Sequence, residues 1–224
     1  MKNINKIIVI SIFFLISLLP FKVMAEEKVI LIDPGHGGFD GGAKSKSGTI
    51  EKDINLSISL KLKQDLESKG YKVYLTREID EALGMEGKTI KEKKRIDLNK
   101  RRSMKKEVKC DVFISIHQNM FPQAKCFGAQ VWHGSNEVSK NLADNIQESL
   151  KEVIKDNNKR LSKAAGDSYL ILRDDYEGAS ILVECGFLSN PEEDEKLKSE
   201  DHQNSIVQGI SLGIDRYFEQ KNKN

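Results

Sequence analysis

The chain has 224 residues, with 36 Lys and Arg against 34 Asp and Glu, 38% hydrophobic residues and 31% charged ones. That length suits one α/β domain, the apolar content is enough for a core, and four Pro and 16 Gly exclude collagen-like and low-complexity chains. A net charge of +2 argues against a nucleic-acid partner, which would call for a strongly basic domain.

Residues 1–25 read as an export signal. Lys2 and Lys6 make a basic start, residues 7–19 are apolar or Ser throughout, Pro20 breaks the run and Ala25 offers a small residue for cleavage. The run is short for a spanning helix, which needs about 20 apolar residues, so an uncleaved membrane anchor is the lesser alternative. The expected working domain is then residues 26–224, outside the cytoplasm, among glycans, peptides and wall polymers and away from ATP. Cys110, Cys126 and Cys185 are odd in number and widely spaced, with no Cys-x-x-Cys pair, and read as buried free thiols.

From residue 28 strand-like and helix-like segments alternate. Residues 28–33 (KVILID) form an apolar run that ends in the turn signal Pro-Gly. Residues 50–69 carry Ile50, Ile54, Ile58, Leu62 and Leu66 at a spacing of four, which predicts an amphipathic helix closed by Gly70. A strand follows at 71–75. The charge-rich stretch 78–109 reads as a surface loop and then an exposed helix. Strands are predicted at 111–116, 129–132, 169–172 and 180–184, and helices at 136–154 and 206–218. Asn190, Pro191 and Glu193 predict one more helix start, with Asn as cap, Pro at the first turn and Glu193 closing a capping box. The alternation implies a single α/β domain: a twisted, mostly parallel central sheet with helices on both faces, and sites just beyond the strand ends.

Three such strand ends carry chemistry. Residues 33–38 (DPGHGG) place His36 among glycines, where the backbone turns sharply and exposes the imidazole. A dinucleotide loop starting at Gly35 fails, because position 40 is Asp and no helix opens there. His117 follows the apolar run 111–116, and Glu184 ends the run Ile181-Leu182-Val183, where an unpaired carboxylate is costly. Two histidines and carboxylates at one sheet edge are the ingredients of a catalytic zinc site that keeps a position open for water. From spacing alone Glu51 is either a ligand or an acid favoured at a helix start. His133 and His202 are weaker candidates. Ser103-Met104-Lys105-Lys106 matches Ser-x-x-Lys without its companion motifs. A Cys185–His117 nucleophile pair competes with Glu184, because neighbours on a strand face opposite ways.

The set DPGHGG (33–38), EKDINL (51–56), Thr76-Arg77, DVFISIHQN (111–119) and ECGFLSN (184–190) resembles the zinc-dependent N-acetylmuramoyl-L-alanine amidases, most of all the small sporulation and germination forms that act on spore-cortex peptidoglycan. The resemblance spans about residues 28–218. It implies one zinc ion on His36, Glu51 and His117, and Glu184 as catalytic acid/base. It also implies cleavage of the amide between the muramic acid lactyl group and L-Ala. Asn119 and Arg77 become candidate substrate contacts. A zinc peptidase or deacetylase acting on another wall bond, and a non-catalytic wall-binding module, are the rival readings. Lys105-Lys106 stands where the family commonly has Ala-Asn, Cys110 stands for Ala, and 176–180 lacks the usual Pro, so the departures concern loops and not ligands. No appended wall-binding module is legible. An accessory protein for localisation or zinc loading is therefore expected, docking on the charged 78–109 surface.

Overall fold

The computed structural model describes residues 27–223, so the expected export signal at 1–25 lies outside the described residues. Six strands form one sheet: β1 (Val29–Pro34), β2 (Lys72–Leu75), β3 (Val112–Asn119), β4 (Gln130–His133), β5 (Lys163–Ala164) and β6 (Ala179–Phe187). Their order is β2-β1-β3-β6-β4-β5, and every pair is parallel except β4 with β6. The helices are α1 (Glu51–Ser68), α2 (Ile90–Val108), α3 (Glu137–Ile154), α4 (Pro191–Lys198) and α5 (Glu200–Lys221). Among the described residues no helix is long and apolar enough to cross a membrane.

Period-two alternation divides the sheet between two cores. Ile30, Ile32, Val112, Ile114, Ile116, Ile181 and Val183 point to one face, where α1, α3, α4 and α5 cover them. Leu31, Phe113 and Leu182 point to the other, beneath α2 and the short 3-10 turn Leu170–Leu172. The α1 stripe behaves as its spacing predicts: Ile58, Leu62 and Leu66 are fully buried, each contributing about 1.5–3 kcal/mol of apolar transfer. Gly70 follows at φ +89°, a conformation that a side chain would strain.

Three expectations need correction. The helix within 78–109 does form, on a capping box between Thr89 and Glu92, yet it is not simply exposed. Asp97, Arg101 and Lys105, one turn apart, are buried against the sheet because each has found ionic or carbonyl partners. The predicted strand at 169–172 is instead the 3-10 turn, since Ile171 and Leu172 are both buried and the Ile171 carbonyl is taken by the Lys105 ammonium at 2.8 Å. At the start of α4, Asn190 does cap, but Glu193 does not return to it. Its carboxylate accepts instead from the backbone N–H of Gly128 (3.0 and 3.1 Å) and Phe187 (2.9 Å). All three cysteines are free, with Cys110 and Cys185 buried.

Candidate active site

The carboxyl ends of the parallel strands β1, β3 and β6 converge on one point. Asp33, Ser115, His117 and Glu184 share the α2 face by alternation with Leu31, Phe113 and Leu182. His117 and Glu184 are direct register partners on neighbouring strands. His36 stands two residues beyond β1, and Glu51 opens α1.

His36 Nε2 lies 3.2 Å from Glu51 Oε1, His117 Nδ1 lies 2.9 Å from the same oxygen, and the two imidazoles meet edge to face at 4.9 Å. One donor atom from each of these three residues falls within 4.8 Å of the others, the only such group among the described residues. Two imidazole nitrogens and a carboxylate oxygen suit zinc, so the donor set fits a single divalent cation. Each donor is also braced. Asp40 takes the other ring nitrogen of His36 at 3.1 Å, the carboxylate–histidine pairing that fixes a ligand's tautomer. Glu51 Oε2 accepts from Ala43 N–H at 2.8 Å and Oε1 from Gln118 N–H at 3.1 Å. Asn55, one helical turn after Glu51, donates to Gly35 O at 3.1 Å.

Close approach explains two of the glycines. A Cβ on Gly35 would lie 2.3 Å from the His117 ring, and one on Gly42, at φ +70°, would lie 2.6 Å from both Glu51 Oε2 and His36 Cδ2. The carbonyl of His36, itself at φ +62°, is held by Arg77 Nε at 2.8 Å and Arg101 Nη2 at 2.7 Å. Arg101 also binds Asp33 Oδ1 at 2.8 Å, and Asp33 further accepts from Thr76 and Ser115 hydroxyls, each at 2.6 Å.

Electrostatics follow from these contacts. Burial resists charge on His36, but Asp40 and Glu51 outweigh it and raise its pKa to about 9. Burial likewise opposes ionisation of Glu51, and the two histidines overcome it, holding the carboxyl well below the usual range. Glu184 goes the other way: burial, with Glu51 adding to it, pushes its carboxyl up against the pull of His117 and Tyr169. Its Oε1 receives the Tyr169 hydroxyl at 3.1 Å, while Oε2 is buried without a partner. A buried acid with a raised pKa and one free oxygen is suited to carrying a proton.

The family model for N-acetylmuramoyl-L-alanine amidase matches residues 30–216. The chain belongs to that family. It is 35% identical to the germination-specific N-acetylmuramoyl-L-alanine amidase of Bacillus subtilis, over 90% of this chain and 84% of that one. Among solved structures, the CwlD amidase of Clostridioides difficile, in complex with the GerS lipoprotein, superposes with a TM-score of 0.83 at 42% identity, covering 86% of this chain and 99% of that one. The catalytic domain of CwlV, an amidase from Bacillus (Paenibacillus) polymyxa, gives 0.74 at 29% identity over 86% and 98%. The protein is thus a hydrolase acting on peptidoglycan, on an α/β fold.

In this amidase the remaining sequence candidates are dispersed. Cys185 faces the opposite core from Glu184, as alternation requires. His133 bonds to Gly134 O, and His202 lies on α5, both outside the three-donor group. Arg77 is 2% exposed, and its guanidinium is spent on the carbonyls of Pro34, Gly35, His36, Lys52 and Ile79, so it shapes the His36 loop from below. Asn119 ends β3 half-buried, its carbonyl accepting from Leu188 N–H at 2.8 Å. Sequence reasoning missed Asp40, Asn55 and Tyr169. Only Asn55 had a signal, being a polar residue on the buried stripe of α1 one turn from Glu51.

Proposed function

We propose that His36, Glu51 and His117 hold one zinc ion and that Glu184 is the acid/base in hydrolysis of the amide between the muramic acid lactyl group and L-Ala. The observation that carries this reading is the convergence of the three donor atoms within 4.8 Å on the strand edge where Glu184 keeps an unpartnered oxygen. When bound, zinc supplies Lewis acidity to the scissile carbonyl and to an attacking water. Glu184 Oε2 accepts the proton from that water and returns it to the leaving nitrogen of L-Ala. The raised pKa of Glu184 favours holding that proton between the two transfers. Asp40 keeps the His36 ring turned to present Nε2, and the buried Ala43, Gln118 and Asn55 contacts keep Glu51 from swinging away. Asn119, on the rim beyond His117, meets the substrate.

The similarity to a germination-specific amidase supports spore-cortex peptidoglycan as the substrate and an extracytoplasmic place of action, with residues 1–25 as the export signal or an anchor. The neighbour solved with a lipoprotein supports an accessory protein for localisation or zinc loading here as well.

Digestion of purified cortex and vegetative peptidoglycan, followed by end-group analysis, tests the reaction. The expected products are stem peptides with a new N-terminal Ala, formed faster from cortex and not formed by Glu184→Gln. New amino termini other than Ala, or full activity in Glu184→Gln, would overturn the reading.

A further inference from the structure

The two oxygens of Glu184 are unequal. Tyr169 is the group that anchors Oε1, at 3.1 Å, and Oε2 has no partner. No other side chain among the described residues hydrogen-bonds to this carboxylate. A buried acid held at one oxygen is fixed in one orientation, with the other oxygen left to face the reacting groups. Were the anchor lost, the carboxylate could turn about its terminal torsion, which is broad for Glu.

Tyr169 is placed from two sides. Its ring rests on Trp132 of β4 at 5.5 Å, and the chain after it is a single 3-10 turn. That turn is held from the far side by α2. Lys105 Nζ donates to Ile171 O at 2.8 Å and to Asp174 Oδ2 at 3.0 Å, and Arg102 donates to Arg173 O at 2.5 Å. Lys105 is wholly buried, its ammonium 4.3 Å from the centre of the Phe113 ring. Burying an ammonium is expensive and persists where its partners are fixed and specific. Lys105 here fastens the one turn that carries Tyr169.

We infer that Tyr169 is a positioning residue for Glu184, and that Lys105 seats it through the 170–172 turn. The inference rests on the reading of Glu184 as the proton carrier. Its consequence is kinetic: misplacing a reacting group lowers the rate of the chemical step while leaving ground-state binding largely intact.

The test is steady-state kinetics of the purified zinc-loaded amidase on a soluble muramoyl peptide, with zinc content measured for each variant. Tyr169→Phe, which removes one oxygen and keeps the ring on Trp132, is expected to lower kcat about tenfold. KM should stay within about twofold and zinc content should not change. Lys105→Met is expected to act in the same direction and to add little to Tyr169→Phe, because both work through one turn. Wild-type kcat in Tyr169→Phe beside an inactive Glu184→Gln would overturn the inference alone. So would a rise in KM as large as the fall in kcat, or a loss of bound zinc, the mark of a merely structural role. Full activity in Glu184→Gln would instead remove the reading on which the inference stands.

Discussion

The guanidinium of Arg101 lies 2.8 Å from the carboxylate of Asp33, and both side chains are 2% exposed. From the same guanidinium a second nitrogen reaches the carbonyl of His36 at 2.7 Å. One ion pair therefore fixes the end of β1 and the left-handed turn that presents the imidazole. Arg101→Met keeps most of the volume but leaves Asp33 buried without its cation. The expected loss is about 3–5 kcal/mol in urea unfolding. Zinc affinity should also fall by about tenfold, as it does when support for a ligand is removed. An unchanged unfolding midpoint would show that the pair holds nothing.

The same pair sets an acid limit. Burial opposes ionisation of Asp33, but Arg101 and the Ser115 and Thr76 hydroxyls prevail and bring its pKa to about 2. A carboxyl lowered on folding contributes stability that is complete above the unfolded value near 4 and is lost as pH falls through the folded value. This group should supply about 2 kcal/mol at neutral pH. Urea unfolding followed between pH 5 and 2 should show that loss in the wild type. Asp33→Asn should be less stable at pH 5 and should lack this component of the slope.

Gly35 tests the packing of the ligand shell without touching a donor. Its missing Cβ is the space into which the His117 ring fits. Gly35→Ala should push that ring aside and weaken zinc binding at least about tenfold, as a displaced ligand shell does. The fold should remain, because the strand and its ladder are unaffected. Circular dichroism alongside a competitive zinc titration would separate the two effects.

Much of this site is legible in the sequence because its donors follow strand ends. His36 after VILIDP, His117 after VFISI and Glu184 after ILV are each introduced by an apolar run, and Glu51 heads a helix whose apolar residues recur at every fourth position. What is not legible is charge that has been buried. Asp97, Arg101 and Lys105 look like a solvated helix face, since sequence cannot show that Asp33, the Pro34 and His36 carbonyls and the 170–172 turn supply partners to them. Tyr169 was hidden for a related reason: its neighbours Ile171 and Leu172 imitate a strand, while a lysine from α2 holds the chain in a turn. Glu193 suits a capping box locally, but two peptide N–H groups outside its own helix claim it.

Metal uptake should release a proton. With its pKa raised to about 9 by Asp40 and Glu51, His36 is protonated in the metal-free protein at neutral pH. Its Nε2 must lose that proton to become a ligand. Zinc affinity should therefore increase as pH rises toward 9. Calorimetry at pH 7 in buffers of different ionisation enthalpy should report about one proton released per zinc bound. A value of zero would mean that His36 enters the site already neutral.

The most direct test of the account is zinc content of the purified chain after loading and dialysis, measured by atomic emission for wild type, His36→Ala and Glu184→Gln. About one zinc per chain is expected in the wild type and in Glu184→Gln, since Glu184 carries protons and not metal, and close to none in His36→Ala. A wild type that retains no zinc, or a His36→Ala variant that retains as much as wild type, would contradict the assignment of His36, Glu51 and His117 as the metal site.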